Sequence, residues 1–223
     1  PNDFSYFEAL NAVVQEEPLD AIGPEERGLL AAIGIVKGQP FAPDERMKRL
    51  LTEAATLGNA TARAITYEPR IGGVFIYPDM DSAWTTAYAD KNTTFETNGA
   101  MGLDARVLFY FNATGVTQAM AATTVGQGSD YALAYLDAEK KPLDGSKTYR
   151  LHLPPDVPVN NFWAVTLYDT QTRSLLQTDQ EFPTIGSQTE GMTQNADGSY
   201  DVYFGPEAPA GMEGNWLQTV PGK

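Results

Sequence analysis

The chain has 223 residues, 29 acidic and 15 basic side chains, one histidine and no cysteine, for a net charge of −14. The absence of cysteine excludes a thiol nucleophile, a disulfide, an iron–sulfur cluster and Cys-ligated zinc, and a single histidine excludes a two-histidine metal site. The acidity argues against a nucleic-acid binder, and no apolar run approaches the roughly 18 residues of a membrane span.

The first 70 residues read as helices. Phe4, Phe7, Leu10 and Val14 share one face, Ser5 and Glu8 have capping-box spacing, and Pro18 ends the segment. A second helix opens at Gly23-Pro24-Glu25-Glu26, where proline suits the first turn and the acids suit the helix dipole. A third opens at Pro43-Asp44 and carries Met47, Leu50, Leu51, Ala54, Gly58, Ala62 and Ile65 at helical spacing. Glu68 to Gly73 reads as a linker.

After Tyr67 the period changes to two. Val107, Phe109 and Phe111 alternate with Arg106, Leu108 and Tyr110, which predicts a strand. Tyr131, Leu133 and Tyr135 predict another, and Tyr149, Leu151 and Leu153, alternating with Arg150 and His152, a third. Phe162 to Tyr168 is nearly all apolar, as in a central strand buried on both faces. Leu143-Asp144-Gly145-Ser146, Pro154-Pro155-Asp156 and Asn195-Ala196-Asp197-Gly198 supply turns. The fold expected is α+β: a helical connector over 1–70, then an antiparallel jelly-roll-like β-sandwich over 71–223. A strand at Trp216–Val220 followed by a turn leaves that sandwich without its last strand, so the chain reads as a piece of a longer protein, or one with cleaved or disordered ends.

Leu143 to Gln177, Asn195-Ala196-Asp197-Gly198-Ser199, Tyr203-Phe204-Gly205-Pro206 and Asn215-Trp216-Leu217-Gln218-Thr219 together resemble the domain of unknown function 1214. Ile33-Gly34-Ile35-Val36-Lys37-Gly38-Gln39-Pro40-Phe41 is similar to the connector of proteins that also carry the domain of unknown function 1254. The resemblance implies an N-terminal β-rich partner domain of the same protein, a further strand after Lys223, and export to a periplasmic or secreted setting. It implies no activity.

Chemistry must therefore come from the residues. No Gly-x-Ser-x-Gly elbow occurs, and Gly126-Gln127-Gly128-Ser129 is neither that elbow nor a phosphate loop. Tyr168-Asp169-Thr170-Gln171-Thr172-Arg173 follows the apolar strand and gathers a carboxylate, hydroxyls, an amide and a guanidinium. Arg173 is the only Lys or Arg between Arg150 and Lys223, which suits it to a carboxylate. The bland alternative is a turn in which Asp169 caps backbone amides and pairs with Arg173. Trp163, Tyr168, Tyr203, Phe204 and Trp216 are candidate pocket aromatics or simply core. Asn195, Asp197 and Asp201 only loosely resemble a calcium loop.

The leading expectation is an extracytoplasmic binding or scaffold module with a small-ligand cleft between sandwich and helices or against the N-terminal partner domain, and with Trp163, Tyr168, Arg173, Tyr203 and Trp216 as candidate ligand residues. No metal and no cofactor are expected, and self-association is open. One alternative is a hydrolase or lyase using Asp169, Arg173 and His152. The other is an assembly element whose open sheet edge another chain completes.

Overall fold

In the computed structural model, which describes residues 2–113, 121 and 129–223, Asp3 starts the first helix. Its carboxylate accepts the Ser5 backbone N–H at 2.9 Å and the Ser5 hydroxyl at 2.6 Å. Ser5 is therefore held by Asp3, and the expected Ser5–Glu8 capping box gives way to an aspartate two residues earlier. The helix, α1 (Ser5–Glu16), has no basic residue in its last turn. Lys37 supplies the charge from a distant loop, donating to the carbonyls of Gln15 at 2.6 Å and Val14 at 3.3 Å. A cation there offsets the partial negative charge of unpaired helix carbonyls. α2 (Pro24–Ala32) has its proline in the first turn, and α3 (Glu45–Tyr67) is capped by Asp44, whose carboxylate accepts the Met47 N–H at 2.7 Å.

The chain divides into two compact units, one of residues Pro1–Arg70 and Leu103–Phe111, the other of Ile71–Gly102 and Asn112–Lys223. The first unit buries Val14, Ile35, Leu51 and Ala62. Its last element corrects the sequence reading: residues 106–111, expected as a strand, lie in a helix, α4 (Leu103–Asn112). Ala105, Leu108 and Phe109 are buried, which is an i, i+3, i+4 face. The alternating aromatics mimicked period two because Val107 and Tyr110 stay on the exposed side.

In the second unit, β1 (Glu96–Thr97) and β2 (Ala100–Met101) form a hairpin across Asn98-Gly99, both at positive φ. The central sheet has the order β3-β6-β7, from β3 (Tyr149–Leu153), β6 (Tyr200–Gly205) and β7 (Trp216–Gln218). β3 and β6 are antiparallel, with His152 opposite Asp201 and Arg150 opposite Tyr203. β7 instead runs parallel to β6, with Tyr203 opposite Trp216. The return between them is fixed by buried Asn215, whose amide donates to the carbonyls of Thr193 and Asp201 and accepts the Thr193 N–H.

A second sheet pairs β4 (Ala164–Thr166) with β5 (Thr184–Gly186), antiparallel. The two sheets share one core, in which Ile185, Val202 and Leu217 are buried and Leu151, Leu153, Trp163, Val165, Leu167 and Phe204 pack around them. Gly186 is required at this contact, because a Cβ there would lie 2.3 Å from the Trp163 carbonyl oxygen. The segment Phe162 to Tyr168 is thus not a strand buried on both faces. Only Ala164–Thr166 are paired as a strand, and Phe162 (56% exposed) and Tyr168 (58%) face outward. The strand expected over Tyr131–Tyr135 is reduced to isolated bridges, Thr85 to Leu133 and Leu136 to Pro142. Most of Gly126-Gln127-Gly128-Ser129 lies outside the described residues. The fold among the described residues is mixed α/β, with four α-helices and three small sheets.

Leu217 is 2% exposed at the junction of the two sheets. Leu217→Ala should lower the unfolding free energy by about 2–5 kcal/mol in urea denaturation, the range for a buried leucine that leaves a cavity. Asp44→Ala, which removes only the α3 cap, should cost about 1 kcal/mol.

Candidate functional site

Alternation along β6 decides which side chains can meet a solute. Val202 and Phe204 turn into the core, so Asp201 and Tyr203 turn out, and the register brings His152, Arg150 and Trp216 onto that same outer face. There the Asp201 carboxylate is the organising group. One oxygen takes His152 Nδ1 at 2.8 Å; the other takes Asn195 Nδ2 at 3.4 Å and lies 3.9 Å from Arg150 Nη1. The His152 hydrogen bond holds the Asp201 carboxyl below its usual range, against the opposing effect of burial, with Asn195 and the Arg150 charge adding to it. A carboxylate can only accept, so the ring presents Nδ1–H to Asp201, and Nε2 is the nitrogen left for another partner.

His152 remains 53% exposed on its side chain and Arg150 62%, so both can still reach a solute. Asn195 also donates to Ser199 Oγ at 2.9 Å, and Ser199 donates to Asp197 at 2.6 Å. Asp197 is thereby spent on its own turn, as a hairpin carboxylate rather than a cation ligand. Among the described residues, no group of three His, Asp or Glu side chains is placed to hold a metal ion.

The second candidate cluster folds differently from its sequence reading. Asp169 is buried at 7% exposure, and its carboxylate accepts the N–H groups of Gln171 at 2.7 Å and Thr172 at 3.3 Å. That is the capped turn expected, and the backbone closes it through Arg173 N–H to the Asp169 carbonyl at 2.7 Å, with Arg173 at φ +62°. The cation on the Asp169 carboxylate is Lys223, at 2.7 Å. Lys223 is the leading cause of a lowered Asp169 pKa, opposed by burial and supported by the two backbone amides.

The proposed trio divides by partner: Asp169 and Arg173 share one turn, where Lys223 holds the Asp169 carboxylate, and Asp201 engages the His152 imidazole. The five proposed ligand residues divide as well. Trp163 packs into the core and meets Tyr200 edge-on at 5.3 Å. Tyr168 and Arg173 belong to the Asp169 turn. Tyr203 and Trp216 stay together on the outer face, the indole N–H of Trp216 donating to the Gly205 carbonyl at 2.9 Å. Asp201, the residue that assembles this face, was singled out in the sequence only as part of a poor calcium loop. Its position opposite His152 is visible only once β3 and β6 are paired.

A separate open cleft of about 480 Å³ in the helical unit is lined by Phe4, Glu8, Asn11, Phe41, Ala42, Pro43 and Lys48. Its rings, Phe4 and Phe41, stack on each other at 5.8 Å.

Asp169 and Asp201 both have lowered pKa values. Each contributes stability that is present above the ordinary carboxylate value and lost as pH falls through the lower folded value. Thermal melts should show wild-type stability falling through the acid range, below about pH 4. Asp169→Asn should be less stable at pH 7, through loss of the Lys223 pair, and should show a shallower acid loss; an unchanged acid slope would count against this assignment.

Residues 128–223 match the family model described as protein of unknown function (DUF1214). No curated protein matches the chain. Among solved structures, the chain is similar to the crystal structure of the VPA0106 protein from Vibrio parahaemolyticus, at 19% identity and a TM-score of 0.36. That similarity covers 96% of this chain and 48% of the other, so the chain spans about half the length of that protein.

Proposed function

We propose that the second unit is a small-ligand binding module and that its ligand is a neutral, hydroxyl-rich solute held on the outer face of β3-β6-β7. The observation that carries this reading is the Asp201 cluster, with Arg150, His152, Tyr203 and Trp216 on one sheet face. Arg150 donates, while Asp201 and the Nε2 of a neutral His152 ring accept, which suits hydroxyl groups that both donate and accept. Tyr203 and Trp216 add apolar ring surface beside these polar groups, the usual make-up of a small-molecule site. Arg150 and Asp201 offset each other, and the chain carries −14 overall. An anionic ligand would therefore meet little net attraction.

In this reading the chain is the C-terminal part of an extracytoplasmic two-domain protein. The resemblance of residues 33–41 to a connector supports an N-terminal partner domain of the type called domain of unknown function 1254. The second unit, two small sheets over a common core, is read as part of a jelly-roll-like sandwich.

An enzymatic reading has one specific observation in its favour. His152, oriented through Nδ1 by a carboxylate, has the arrangement of a general base acting through Nε2. Among the described residues no hydrogen bond joins Nε2 to a hydroxyl nucleophile, so binding is the stronger reading. The assembly reading is weakened by the outer edge of β7, which this chain covers with its own side chains.

A thermal-shift screen with neutral sugars, polyols and small carboxylic acids tests the proposal. A ligand at ~100 times its dissociation constant should add about 2.7 kcal/mol of stability. The shift should appear with a neutral hydroxylated compound, disappear in His152→Ala and Tyr203→Ala, and persist in Arg173→Ala. A shift lost only in Arg173→Ala would move the site to the Asp169 turn, and a flat screen on a folded protein would sink the binding reading.

A further inference from the structure

β7 is the last strand of the three-stranded sheet, and one of its edges is turned away from β6. On the inner side the pairing continues past the strand, with the Thr219 N–H donating to the Gly205 carbonyl at 2.9 Å. On the outer side, the Trp216 carbonyl and the Gln218 N–H would stand open as a template for another strand. Both are occupied by one side chain. Gln180 Nε2 donates to the Trp216 carbonyl at 3.2 Å, and the Gln218 N–H donates to Gln180 Oε1 at 2.8 Å.

A carboxamide has the planar donor–acceptor geometry of a peptide unit, and here it meets the two backbone groups that a neighbouring strand's peptide unit would meet. The side chain of Gln218 answers in kind. It accepts the Asp179 N–H at 2.8 Å and donates to the Asp179 carboxylate at 3.0 Å. Two glutamine amides thus fasten residues 179 and 180 along β7 without any main-chain ladder between them.

We infer that Gln180 is a guard of the β7 edge: its carboxamide takes the place of a strand and keeps a second copy of this chain from pairing β7 to β7. The second copy is the natural occupant because its own β7 is of equal length and carries the same outward pair of carbonyl and N–H. Two such edges facing each other about a twofold axis are self-complementary. The amide cap leaves the β7 backbone unchanged, so withdrawing it frees the Trp216 carbonyl and the Gln218 N–H for pairing, with only the Gln218 side-chain bonds to Asp179 left along that edge. This inference is independent of the ligand proposed for the outer face.

The experiment compares the full chain with Gln180→Ala and Gln180→Glu. Glu keeps the length of the side chain but cannot donate to the Trp216 carbonyl, and it serves if the alanine variant does not fold. Sedimentation over a wide concentration range should show an association in the variants that the wild type lacks. Adding Gln218→Pro, which removes the outward N–H, should abolish it. Hydrogen exchange at the Gln218 amide should quicken by about two- to tenfold in dilute Gln180→Ala, as expected for one lost hydrogen bond, and less in Gln180→Glu, whose carboxylate can still accept that N–H. It should slow again at high concentration as a second β7 takes the place of the amide. A folded variant that does not associate at any concentration would overturn the inference. So would unchanged exchange at Gln218 in Gln180→Ala, or a wild type that already pairs through β7.

Discussion

The two-residue alternation of β6 is the constraint on which the second unit depends. Val202 is fully buried and Phe204 follows it into the core, while Asp201 and Tyr203 between and beside them face out. Shifting the strand by one residue against β3 would send a carboxylate into the core and a valine to solvent, which no local rearrangement could offset. The register that buries the core is therefore the register that sets His152 opposite Asp201. Packing and candidate chemistry are two sides of one strand, and the energy that fixes the first also positions the second.

Charge is handled locally in a molecule with a large acidic excess. From Ser174 to Gly222 there are seven acids and no Lys or Arg. The most sequestered of the second unit's structurally important carboxylates have partners from outside that stretch: Arg150 and His152 from β3 for Asp201, Lys223 for Asp169. Asp197 instead turns inward on Ser199. The remaining acids stay at the surface, where mutual repulsion favours solubility over close self-association.

Much of this was legible in the sequence, and what was not has a common cause. The α3 cap at Asp44, the β3 alternation and the Asn195–Gly198 turn are local, so a few residues suffice to announce them. α4 was misread because aromatic and aliphatic residues at every position satisfy both periods, and only burial of Ala105, Leu108 and Phe109 separates them. The apolar run from Phe162 to Tyr168 signalled hydrophobicity correctly but not which residues would be covered. The Lys223 partner of Asp169, the parallel course of β7 and the Gln180 amide on its edge are long-range or side-chain-to-backbone contacts. These leave no periodic trace, and Arg173 was the nearer cation that sequence proximity favoured. Of the candidate site, His152, Tyr203 and Trp216 were named as such, but Asp201, which unites them, figured only in a poor calcium loop.

The turn that precedes β3 is closed by chain that comes some seventy residues later. The Thr219 hydroxyl donates to the Gly145 carbonyl at 2.7 Å, and the Gly145 N–H donates to the Lys223 carbonyl at 3.1 Å. A side chain at position 145 would meet the Val220 carbonyl oxygen at 2.2 Å, so the fit is close. During synthesis, β3 must wait for β6 and β7 before its hydrogen bonds and its apolar face have partners. Contacts of such separation make for slow closure and a prolonged exposure of the intervening aromatic segments. The sheet is thus assembled late and nearly all at once, and until then the apolar face of β3 stays open in the nascent chain.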